Sequence, residues 1–105
     1  MSERRTTPRK KVLLEAKWAS MSRMHEARVD DVSLGGCFVN TYGHVELGEP
    51  VNLQMLLPSG EWLELRGTVA SYHPGVGFGM AFESLSEDQE TALKDLIASA
   101  AERNV

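Results

Sequence analysis

Hydrophobic and polar residues alternate along most of this chain, and the period changes only near its end. Val12-Leu13-Leu14-Glu15-Ala16-Lys17-Trp18 is compatible with a strand. In His25–Val32, Ala27 and Val29 fall on one face and Glu26, Arg28 and Asp30 on the other, the period of a half-buried strand. Ser33-Leu34-Gly35-Gly36 predicts a turn, since adjacent glycines permit positive φ, and Cys37-Phe38-Val39 opens a short strand. Gly43, Gly48 and Pro50 mark a loop. Val51, Leu53, Met55 and Leu57 then alternate inward, and Pro58-Ser59-Gly60 joins that strand to the next in a predicted hairpin. Trp62–Tyr72 predicts a long strand interrupted at Gly67. After a turn at His73-Pro74-Gly75, Val76–Phe82 predicts a last strand, where Gly77 and Gly79 suggest close backbone approach or a bulge.

The C-terminal segment is helical in period. Ser86 and Gln89 form a capping box, Glu87 and Asp88 oppose the helix dipole, and Leu93, Leu96, Ile97 and Ala100 make one apolar stripe. The expected fold is all-β with one C-terminal helix (about 86–103) plugging a six-stranded antiparallel β-barrel. The expected organisation is a flexible basic arm over 1–10 and the barrel over 11–105.

Composition narrows the class. One hundred and five residues, 42% hydrophobic and 25% charged, describe one globular domain without room for a separate catalytic lobe. Apolar runs are too short to span a membrane, so no membrane insertion is expected. Residues 1–5 carry no signal-peptide core. A lone Cys37 excludes an internal disulfide and any multi-cysteine zinc site, and a cytoplasmic protein is expected. Cys37 itself reads as a small buried hydrophobe. The net charge of −4 hides an asymmetry: residues 1–28 hold eight Lys/Arg against three Glu, and residues 29–105 hold three against twelve Asp/Glu. A local basic segment implies a local anionic partner. The acidic remainder argues against DNA or RNA, which need a broad basic face, and favours a small phosphorylated ligand.

Two short motifs carry the candidate chemistry. Arg5-Thr6-Thr7-Pro8-Arg9, with Arg4 before it, is an Arg-x-x-x-Arg; Asp31-Val32-Ser33-Leu34-Gly35-Gly36 is an Asp-x-Ser-x-x-Gly. By composition the first is expected roughly 0.45 times at random and the second roughly 0.05 times, so the pair informs where either alone does not. Arginine forks bind phosphate oxygens bidentately and match the O6/N7 edge of guanine. An ionised Asp accepts from the N–H donors on guanine's opposite edge; a Ser hydroxyl donates to phosphate or holds a turn; a Gly admits close approach. The bland alternatives are an Asx-type turn at Asp31 and a solvated tail at the arginines. His25, His44 and His73 lack metal-ligand spacing and read as ordinary surface or turn residues, Met21 and Met24 as loop or core filler. Neither Ser–His–Asp nor Cys–His chemistry is supported, and no phosphate-binding Gly-Lys-Ser/Thr loop is present, so an enzyme is not expected.

In this order the two motifs resemble the PilZ domain family, bacterial receptors for cyclic di-GMP. Gly77-Phe78-Gly79-Met80-Ala81-Phe82 also resembles the family's closing strand. The resemblance implies a six-stranded barrel, an arginine arm wrapping the ligand, and ligand contacts from Arg4, Arg5, Arg9, Asp31, Ser33 and Gly36. It further implies that Arg4, the extra basic residue, accompanies two stacked ligand molecules. The implied activity is that of a cyclic di-GMP effector with no cofactor, a monomer or weak dimer that presents a changed surface to an unidentified downstream protein. The alternative is a PilZ-fold adaptor that docks to proteins independently of ligand. Tyr72 and Trp62 are candidates for stacking on guanine.

Overall fold

A computed structural model describes residues 10–20 and 23–103. Six antiparallel strands are formed: β1 (Lys10–Ser20), β2 (Arg23–Val32), β3 (Gly36–Asn40), β4 (Pro50–Leu56), β5 (Trp62–His73) and β6 (Gly77–Phe82); α1 (Glu87–Arg103) follows them. They close into a barrel in the order β1-β2-β3-β6-β5-β4, so every strand has two neighbours, although the start of β1 and the start of β2 extend past their second partners. The six-stranded barrel with a terminal helix agrees with the alternation and the change of period.

Inward residues follow the two-residue repeat. Ala16 and Trp18 of β1, Val51, Leu53 and Met55 of β4, and Leu65 and Val69 of β5 are buried together with Val39, Phe78 and Met80. Leu93 and Leu96 add the helix's apolar stripe to this core, with Ile97 partly buried against it, and α1 packs on β1 and β5. The capping box forms in both directions: Gln89 N–H donates to Ser86 Oγ at 3.1 Å, and Ser86 N–H donates to Gln89 Oε1 at 2.7 Å. Trp18 anchors the middle of the core. Its Nε1–H donates to the buried Thr41 Oγ1 at 3.0 Å, and its rings meet Phe78 edge-on at 5.1 Å. Cys37 is fully buried, as its position after two glycines suggests.

Several expectations are corrected. Gly67 does not interrupt β5, which pairs through it with both β4 and β6; the glycine is needed there because a Cβ would fall 2.0 Å from the Ala81 carbonyl oxygen of β6. The irregularity lies further on, between Val69 and Ser71. Val76 belongs to the turn and is exposed, leaving Gly77 to begin β6. Leu57 falls just beyond β4 and is only partly buried. Met24 is neither core nor loop but stands exposed on β2. His25 is half-buried, its ring stacked on Trp18 at 4.1 Å and 16°. Among the described residues, β1 is already strand at Lys10, the last residue of the expected arm. Met21 and the arm residues 1–9 lie outside the described residues.

Candidate functional site

The Asp31–Gly36 motif occupies the end of β2 and the turn into β3. The approach to it departs from simple alternation. Val29 and Val32 are both fully buried although three residues apart, an odd spacing that two-residue alternation forbids. The register explains it: Val29 pairs with Val39 and Asp31 with Phe38, which leaves Asp30 as an extra residue on β2. On the opposite side, Asp31 pairs with Lys11 and Val29 with Leu14, a second irregularity at the same level. Such a bulge re-aims side chains. Asp30 and Asp31 therefore stand together between two inward valines, and both are half-buried.

Ser33 and Gly36 are committed to the fold itself. Ser33 is only 4% exposed. Its N–H donates to the Gly36 carbonyl at 2.8 Å, its Oγ accepts from Gly35 N–H at 3.1 Å, and the hydroxyl lies 3.4 Å from the Gly36 carbonyl. Of the two roles open to this hydroxyl, holding the turn is the one these bonds describe. Gly36 faces the β6 backbone, where a Cβ would lie 2.1 Å from the Met80 carbonyl oxygen. The glycine is thus required by barrel closure, whatever it also offers a ligand. Gly35 is exposed, and its carbonyl accepts from Phe82 N–H at 2.9 Å.

Arg4, Arg5 and Arg9 lie outside the described residues, but the point from which they depart is fixed. Lys10 pairs with Val32 and Lys11 with Asp31. The chain that carries the first motif therefore enters β1 directly beside the second. The motifs are twenty-two residues apart in sequence, and the β1–β2 register brings the start of β1 to the Asp31 turn.

Beside Asp31, the outer wall of β1, β2 and β3 forms a groove of about 710 Å³, bounded by Leu13, Arg28, Asp30, Asn40, Tyr42 and Val76. Tyr42 is 91% exposed, and Leu13 and Val76 are also largely open to solvent. Sequence reasoning did not single out this wall. The available signal was the Val-Asp-Asp-Val run at 29–32, which breaks the alternation.

The two aromatics considered for stacking already have neighbours. Tyr72 meets His44, with its hydroxyl 3.4 Å from Nδ1, and Lys17 Nζ stands 5.1 Å from the centre of the Trp62 ring. His44 also bonds Glu46 at 2.8 Å. Among the described residues no cluster of three or more His, Cys, Asp or Glu is placed to hold a metal ion, and no helix is long and apolar enough to cross a membrane.

A closed six-stranded barrel with one terminal helix, bearing an Asp-x-Ser-x-x-Gly turn where the first strand begins, defines a class of small β-barrel domains. The family model described as PilZ domain matches residues 3–99, and the chain belongs to the PilZ domain family. No curated protein matches the sequence. Similar solved structures share the fold at low identity. The PilZ domain of YcgR from Escherichia coli, solved with c-di-GMP, superposes with a TM-score of 0.80 at 14% identity, covering 97% of this chain and 95% of that one. The inhibitor of motility MotI/DgrA of Bacillus subtilis gives 0.78 at 15% identity, covering 98% of this chain and 52% of that one, so this chain spans about half of MotI. The PilZ domain of CeSA from a cellulose-synthesizing bacterium gives 0.69 at 21% identity, covering 88% and 96%.

Proposed function

We propose that this domain is a receptor for cyclic di-GMP, in which Arg5 and Arg9, preceded by Arg4, close over a ligand seated beside Asp31 and the Ser33–Gly36 turn. The observation that carries the reading is the pairing of Lys10 with Val32. It roots the arginine segment at the second motif. Arg9 is adjacent to that root, and Arg5 is five residues from it, a reach of at most about 18 Å. Family membership and the likeness to the YcgR domain solved with c-di-GMP support the ligand.

The chemistry divides by residue. Guanidinium forks take phosphate oxygens or the guanine O6/N7 edge, and the Asp31 carboxylate takes the N1–H and N2–H donors. Ser33 acts through the turn that it holds, and Gly36 through the strand approach that it permits. Ordering the arm over the ligand changes the surface around the turn, and that surface meets a separate downstream protein. No cofactor takes part, and no reaction is assigned: the domain binds and reports.

Calorimetric titration with cyclic di-GMP tests this. Wild type is expected to bind, and Arg9→Ala and Asp31→Ala to lose about ten- to hundred-fold in affinity, the loss of one charge-assisted contact. Affinity is expected to fall as ionic strength rises, because a cationic arm grips an anion. Substitutions that leave binding untouched would overturn the residue assignment, and absence of wild-type binding would overturn the reading.

A further inference from the structure

We propose that Asp30 is a second guanine-reading carboxylate, and that the groove between Leu13 and Tyr42 holds the base that the Asp31 turn does not. The inference rests on the cyclic di-GMP reading and extends it to residues outside both motifs.

Asp30 stands out chemically. Its Oδ1 is buried and, among the described residues, is the side-chain oxygen or nitrogen in that position with no hydrogen-bond partner. A carboxylate oxygen withdrawn from water without a donor is costly to maintain. The bulge places it there, since a regular strand would have turned either Asp30 or Asp31 into the barrel. Rotation about χ2 is soft, so a partial turn of the carboxylate can bring both oxygens toward a donor pair arriving in the groove that Asp30 lines.

The neighbours match one kind of base. Arg28 lies two residues from Asp30 on the same wall, within about 7 Å along the strand. One offers paired donors and the other paired acceptors. Guanine presents N1–H and N2–H on one edge and O6 with N7 on the other, so Asp30 and Arg28 suit opposite sides of one ring. Adenine offers neither the N1–H nor the O6. The exposed Tyr42 ring at the groove's end provides a stacking surface indifferent to base identity. Asp30 lines the groove and Asp31 follows it directly in the chain, so the groove and the proposed first site are adjacent. A ligand with two guanines on one cyclic backbone can thus place one base at each carboxylate.

Electrostatics makes the test sharp. Cyclic di-GMP carries two negative charges, so removing a carboxylate by simple Coulomb reasoning strengthens binding. An acceptor role predicts the reverse. The experiment is calorimetry on the full chain with cyclic di-GMP and with the hybrid dinucleotide in which one guanine is adenine, using wild type, Asp30→Asn and Tyr42→Ala. Wild type is expected to prefer cyclic di-GMP. Asp30→Asn is expected to lose about ten- to hundred-fold for cyclic di-GMP and most of that preference, with its ligand-free thermal unfolding at or above that of wild type. Tyr42→Ala is expected to lose about fivefold or more for both ligands alike. Unchanged or tighter binding by Asp30→Asn, with discrimination intact, would overturn the inference and leave the receptor reading standing. Absence of wild-type binding would overturn both. Should Asp30→Asn unfold, the exposed Tyr42→Ala decides: unchanged affinity there overturns the groove.

Discussion

Substituting Gly36 by alanine separates the two roles that a motif glycine can play. The resemblance assigns Gly36 to ligand approach, yet the structure gives it a prior duty. A Cβ at this position would stand 2.1 Å from the Met80 carbonyl oxygen and 3.2 Å from its carbon. Both are backbone atoms of β6, so no side chain can rotate away. Relief requires β3 and β6 to separate by about 1 Å or more, and in a closed barrel that movement strains neighbouring ladders. Overpacking of this kind costs about 1–3 kcal/mol. The Phe82 N–H to Gly35 carbonyl bond, 2.9 Å long and one residue away, is in the path of the displacement and adds about 1 kcal/mol if lost. The expected cost is about 2–4 kcal/mol, equivalent to a fall of roughly 8–30 °C in Tm for a domain of this size. Gly60→Ala in the β4–β5 turn is the control. There φ is 96° with no atom within 4 Å of a new Cβ, so only backbone strain of about 1 kcal/mol applies. Thermal unfolding followed by circular dichroism compares the two in the absence of ligand. If Gly36→Ala melts within about 2 °C of wild type while losing cyclic di-GMP affinity, the barrel-closure argument is wrong and the glycine serves the ligand alone.

Thr41→Val removes the acceptor for both Trp18 Nε1–H and Gly43 N–H, and is expected to cost about 1–3 kcal/mol in urea unfolding monitored by tryptophan fluorescence; an unchanged midpoint would refute the assigned bond. Ser86→Ala breaks half of the capping box and is expected to lower stability by about 0.5–2 kcal/mol, with faster amide exchange at Gln89 as its local signature. Inserting two glycines between Arg9 and Lys10 shifts the arginines by about 7 Å at a chain-entropy cost below about 0.6 kcal/mol. A registered clamp then loses tenfold or more in affinity, whereas a merely solvated cationic tail is indifferent.

What the sequence makes legible depends on which physical effect dominates locally. Regular alternation over 51–55 and the three-four spacing of Leu93, Leu96 and Ile97 report burial directly, so β4 and α1 could be read with their inward faces, short of Leu57 at the strand's end. Capping at Ser86 is similarly local. Alternation fails where a bulge intervenes: read with period two, 25–32 sends Asp31 inward with Val29 and leaves Val32 outside, whereas the structure buries Val29 and Val32 and keeps both aspartates out. Gly67 misleads for a related reason. A glycine within a strand signals either an interruption or a close crossing, and only the position of the Ala81 carbonyl distinguishes them. His25 could not be assigned because its partner Trp18 lies across the β1–β2 ladder. Of the candidate site, the two motifs were legible as a pair, and the turn-holding bonds of Ser33 were within the range of local chemistry. The groove was not, because its walls come from three strands and a turn whose adjacency only the closed topology supplies.

That topology also explains why the site has two unlike halves. A closed barrel commits most of its backbone donors and acceptors to neighbouring strands, which favours recognition by outward side chains or by chain beyond the sheet. Outward positions on a regular wall are spaced two apart, which keeps successive residues from acting on one side. The irregularity at Asp30 removes that restriction and sets adjacent carboxylates on the same wall. Two carboxylates alone would repel a dianion. The cationic segment joined to β1 at Lys10 offsets them, and its covalent attachment beside Val32 keeps its guanidinium groups near the turn at a high effective concentration. On the proposed receptor reading, the wall's carboxylates accept from the N1–H and N2–H pair that guanine presents and adenine lacks, and the arm's guanidinium groups add attraction for the phosphates or for the O6/N7 edge. On that reading, substitutions of the wall's carboxylates are expected to change which dinucleotide is preferred, and a substitution in the arm separates its two uses: loss for all dinucleotides alike marks a phosphate contact, and loss confined to guanine-bearing ones marks the O6/N7 edge.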